Sequence, residues 1–148
     1  MTLTDRLSAE IKTAMRARDA DRLSVLRLLK SALGYAQIER QTESLSDADV
    51  VAIVQKEAKK RRDSIEQFEK GNRPELAAKE KTELGVLESF LPQPLTPEEL
   101  EQLVRAAIAE LGATSKKDMG AVIKAVQAKA AGSADGRSIS QLVGKLLP

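Results

Sequence analysis

The segment LPQPL (residues 91–95) interrupts a chain that otherwise has the spacing of helices throughout. Pro92 and Pro94 each lack an amide N–H and push the preceding residue out of the helical region, so no helix can run through them. On both sides the apolar residues recur at intervals of three and four, and no stretch alternates as a strand does. This pattern predicts an all-α chain. A four-helix N-terminal bundle spans 1–91, a proline hinge 92–96, and a three-helix C-terminal bundle 97–148.

The punctuation is legible residue by residue. Thr2 with Asp5, Ser46 with Asp49, and Thr96-Pro-Glu-Glu99 have the spacing of a hydroxyl cap and an acid three residues on. Asp19 or Asp21 opens a second helix, and Ser115 opens the sixth. Gly71 and Gly112 are predicted helix stops. Leu3, Leu7, Ile11, Ala14 and Met15 stripe the first helix. On the second, Leu23, Leu26, Leu29, Leu33 and Ala36 share a face that Val25 and Leu28 widen, so it is expected to be the most buried helix.

Two later stripes are broken by charges. Arg61 lies among Val50, Val54, Ala58, Ile65 and Phe68, while Glu80 and Glu83 lie among Leu76, Leu84, Leu87 and Phe90. A half-buried charge is tolerated mainly when paired. Arg61 is therefore expected to contact Glu80 or Glu83. In KEAKKRR (56–62) the charges spread around the helix, and Glu57–Arg61, Lys59–Asp63 and Arg62–Glu66 have ion-pair spacing, which suits a solvated surface.

Composition removes whole classes of chemistry. Cysteine and histidine are absent. That excludes disulfides, thiolate metal sites, a cysteine nucleophile, and any Ser-His-Asp arrangement within the chain. No Walker or dinucleotide glycine pattern follows a strand, and no acidic cluster has the spacing of a magnesium site. No catalytic residue, metal ligand or cofactor is expected. No apolar run has the length of a membrane span or signal peptide, so a soluble, cytoplasmic protein is expected, with no membrane partner.

Net charge is only +2, but its distribution is uneven. Residues 1–42 carry +3, residues 43–95 carry −2, residues 96–110 carry −3, and residues 111–148 carry +4. Lys116, Lys117, Lys124, Lys129, Arg137 and Lys145 make up the final surplus. Lys117 and Lys124, one heptad apart, are expected on one face away from Val122 and Val126. The stretch GSADGRSIS (132–140) has the residues of a corner: Gly132 to end one helix in the left-handed region, Ser133 or Asp135 to cap the next. Free N–H groups near Ser115 and Asp135 could also receive a phosphate of a larger ligand. The C-terminal segment has no aromatic residue. RNA bound there would be gripped by backbone and shape, since reading unpaired bases usually needs stacking platforms. The same lysines also suit an ordinary solvated helix surface.

RRDSIEQFEKGNRPELAAKEKTELGVLESFLPQPLTPEEL (61–100), KKDMGAVIKAV (116–126) and GSADGRSISQLVGKLL (132–147), with the opening 1–33, resemble the YqeY-like family, also called the GatB/YqeY domain. The resemblance implies a four-helix and a three-helix bundle. The domain is similar to the tail of the GatB component of the tRNA-dependent amidotransferase, where the tail helps hold the tRNA. The phosphorylating site of that enzyme lies in a separate domain and the glutaminase in another polypeptide; neither is present here. By association the resemblance carries a carbon–nitrogen ligase activity with glutamine as amido-N donor, which would need other subunits. It implies tRNA as partner, with amidotransferase subunits or an aminoacyl-tRNA synthetase beside it. The competing expectation is a protein-interaction module of another complex with no RNA ligand.

Overall fold

The computed structural model describes residues 1–148. It is all-helical: α1 (Leu3–Ala17), α2 (Ala20–Glu39), α3 (Asp47–Lys70), α4 (Pro74–Glu88), α5 (Pro97–Leu111), a 3₁₀ turn (Lys116–Asp118), α6 (Met119–Ala130) and α7 (Gly136–Leu146). They form two compact units, Met1–Leu91 and Pro92–Pro148. No helix is long and apolar enough to cross a membrane.

In the N-terminal unit the helix starts follow the residues that promote them. Thr2 Oγ1 accepts from the N–H of Asp5, and the N–H of Thr2 donates back to Asp5 Oδ2, both at 3.1 Å. Ser46 and Asp49 repeat the exchange, and Asp19 caps α2 through the N–H of Arg22 at 3.2 Å. The α3–α4 connection ends as a Schellman motif. Asn72 takes the left-handed conformation, the N–H of Arg73 donates to the Phe68 carbonyl at 2.8 Å, and that of Asn72 to Glu69. Gly71 is thus the last cap residue, and Pro74 occupies the first turn of α4.

The core of this unit is built from Leu7, Ile11, Val25, Leu26, Leu29, Leu33, Val50, Val54, Val86, Leu87 and Phe90, among others. Arg6 lies over the Phe90 ring, 4.6 Å from its centroid, and its Nε bonds Glu10, which also takes Arg22 at 2.7 Å. Three apolar residues expected inside are exposed: Met15, Leu28 and Leu76. Leu28 precedes the buried Leu29, and one residue is a step of about 100° around a helix, enough to leave the core. On α4 the inward face is Ala77, Val86 and Leu87, continued by Phe90 just past the helix end, instead of one beginning at Leu76.

The charge interruptions meet as expected, and with both acids. Arg61 Nη1 lies 3.1 Å from Glu80 and 2.6 Å from Glu83. Since Arg61 turns to α4, Glu57 pairs with Lys60 instead, at 3.3 Å.

The acids of the two capping boxes, Asp5 and Asp49, titrate low. The N–H of Thr2, and then its hydroxyl, hold the Asp5 carboxyl below its ordinary 3.8; Ser46 does the same to Asp49, helped by Arg40. A depressed folded pKa means that the cap's stabilisation is present above 3.8 and is lost as pH falls through the lower folded value. Asp5→Asn with Asp49→Asn should therefore flatten the acid limb of a melting-temperature profile below pH 3.8. An unchanged limb would show that the caps do not contribute to it.

Candidate nucleic-acid interface

The C-terminal unit surrounds Leu100, Val104, Ala107, Val122, Val126, Ile139, Val143 and Leu147. Thr96 and Glu99 complete a capping box at α5, and Gly112 ends that helix at φ 62°, where a side chain would be strained. A β-carbon at Gly144 would stand 3.4 Å from Met119 Cε, and one at Gly136 would stand 3.6 Å from Gln127 Nε2. The start of α6 is thus beside the end of α7, and the reverse. The two helices pack antiparallel.

GSADGRSIS forms the corner between them. Ala131 and Gly132 are both left-handed, at φ 48° and 92°, so the turn out of α6 begins one residue before the expected glycine. The Ser133 carbonyl accepts the N–H of Leu95 at 2.9 Å. Asp135, and not Ser133, caps α7: its carboxylate accepts the Ser138 N–H at 2.8 Å and the Ser138 hydroxyl at 3.0 Å. At the other start, Ser115 Oγ accepts from Lys117 N–H and Asp118 Oδ2 from Thr114 N–H. The expectation that these ends offer free N–H groups to a phosphate is therefore corrected. Each already carries a carboxylate of the chain itself, whose charge opposes a second anion.

All six candidate cations are exposed. Lys116 and Lys117 lie in the 3₁₀ turn, so the expected helix from Ser115 is interrupted and the heptad relation of Lys117 to Lys124 crosses a change in helical pitch. Lys124 projects from the side of α6 opposite Val122 and Val126, both fully buried. Arg137 and Lys145 lie two turns apart on the exposed side of α7, about 12 Å along its axis. The antiparallel pairing brings Lys117 level with the turn of α7 that carries Lys145, while Lys124 is level with the middle of α7. Lys129 differs from the rest. It faces α5, where its Nζ pairs with Glu110 at 2.8 Å. Lys116, Lys117, Lys124 and Lys145 enter no ion pair.

A family model described as Yqey-like protein matches residues 4–147. The chain belongs to the YqeY-like family. Relatives within reach of its sequence include an uncharacterized protein of Schizosaccharomyces pombe, 36% identical over 80 residues, covering 54% of this chain and 64% of that protein. The "Altered inheritance of mitochondria protein 41, mitochondrial" of Pyrenophora tritici-repentis is 28% identical over 94% of this chain and 80% of its own. The protein of the same name from Lachancea thermotolerans is 32% identical over 71% of this chain and 57% of its own. The YqeY-like chain thus spans 64% of the first of these relatives and 57% of the third.

These names overturn the cytoplasmic expectation, because the relatives that carry them are mitochondrial proteins. The physical reason is that the lack of a long apolar run does not address import into an organelle, whose targeting segments are amphipathic and basic.

Proposed function

We propose that this YqeY-like chain is a non-catalytic tRNA-binding module, accessory to a tRNA-dependent amidotransferase. The outer sides of α6 and α7 grip the sugar-phosphate backbone of the folded RNA. Lys116, Lys117, Lys124, Lys145 and Arg137 contact phosphates, and Lys129 contributes less than the four unpaired lysines because Glu110 offsets it. The observation that carries this reading is the set of four exposed lysines without acidic partners, Lys124 on α6, Lys145 on α7, and Lys116 and Lys117 in the 3₁₀ turn that leads into α6. A surface without aromatics fits backbone recognition, which positions a ligand without reading its bases. Amidation itself would belong to other subunits, since this chain has neither histidine nor cysteine to activate a nucleophile.

A tRNA titration at two salt concentrations tests the reading. About five neutralised phosphates should weaken binding by roughly 10²–10³-fold between 50 and 200 mM salt. Absence of binding at the lower salt would sink it and favour a protein partner.

A further inference from the structure

Along α2 three large apolar residues face outward: Leu28, Tyr35 and Ile38 are 55%, 74% and 76% exposed. With Ser24 and Ser31 they recur at alternating intervals of four and three, the spacing of a seam between two helices. An exposed apolar stripe of this kind marks an interaction surface. Two shallow hollows border it. One, of about 360 Å³, is lined by Leu23, Ser24, Arg27, Leu28 and Ser31. The other, of about 470 Å³, is lined by Gly34, Gln37, Ile38, Gln41 and Glu43.

We propose that this stripe is the interface of a symmetric dimer in which α2 pairs antiparallel with α2 of a second copy. The inference is independent of the RNA reading. A two-fold axis beside Gly34 brings the partner's Ile38 opposite Leu28 and the partner's Tyr35 opposite Ser31, so large residues meet small ones and knobs meet hollows. Gly34 leaves room at the axis, since nothing stands within 4 Å of where its β-carbon would be.

The charges choose a second copy over a lipid surface or an unrelated helix. Arg27 borders the first hollow and Glu43 the second. Both are exposed and neither enters an ion pair within the chain. The symmetry operation of a dimer sets each flank against its own counterpart. Arg27 then faces the partner's Glu43, and the pair occurs twice. The stripe is about 21 Å long, one helix wide, and so falls below a standard interface of roughly 800 Å² per partner. The dimer is accordingly weak and concentration-dependent.

Sedimentation equilibrium of the full chain from about 10 μM to about 1 mM, the range of weak association, tests this. The dimer fraction should rise across that range. Ile38→Glu should give a monomer throughout with an unchanged melting curve, because Ile38 is exposed in the single chain. Arg27→Glu should weaken association about tenfold, and adding Glu43→Arg should restore it. Gly34→Cys supplies the only thiol in the chain, and a short bis-maleimide should then link two copies. A monomer at the highest concentration, a dimer that Ile38→Glu leaves intact, or no rescue by the double reversal would each overturn the proposal.

Discussion

Arg61→Ala lowers the stability of the N-terminal unit by about 2–3 kcal/mol, the largest loss expected from a single polar side chain here. The guanidinium lies between two carboxylates, and the side chains of Arg61, Glu80 and Glu83 are only 20%, 18% and 15% exposed. Removing the arginine leaves two half-buried acids close together on α4 with no counter-charge. The magnitude sits below that of a fully buried broken pair because water still reaches part of the group. Arg61→Met with Glu80→Gln and Glu83→Gln removes the charges together, and should stay within about 1 kcal/mol of the parent. Urea unfolding, with hydrogen exchange resolved along α3 and α4, separates this unit from the rest. A single variant as stable as the parent would show that the triad has no net role.

The helical class, the caps and the Arg61 contacts are legible in the sequence for one physical reason. Each depends on residues close along the chain or on a repeat that the helix imposes. Thr2 and Asp5 need only three residues to meet, and Arg61 announces itself by breaking an apolar stripe. What the sequence hides is direction. Leu28 and Leu29 are equally apolar, and only the packing decides that Leu29 enters the core while Leu28 joins the exposed seam of α2. The same holds at the candidate interface. Charge counts cannot distinguish Lys129, which meets Glu110, from Lys124, which meets no acid. Asp135 is legible as a candidate cap of α7, but composition does not reveal that Asp118 takes the Thr114 N–H at the other start. The one hint was the acid next to each start, and it pointed to capping more strongly than to phosphate.

That difference among the lysines makes the RNA reading specific enough to fail. Lys117→Glu, Lys124→Glu and Lys145→Glu together should weaken tRNA binding by about two orders of magnitude at low salt, and lower the salt slope by about three. All three side chains are exposed, so the melting curve should hold. Lys129→Gln should cost much less, because Glu110 already offsets that charge. Glu110→Gln should act in the opposite direction, releasing Lys129 and strengthening binding a few-fold, since it removes an anion beside a cation. A generic polycation would lose affinity with any lysine and would not distinguish Lys129 from Lys124. Equal losses from the two would therefore mean that charge alone, and not a surface formed by α6 and α7, attracts the nucleic acid.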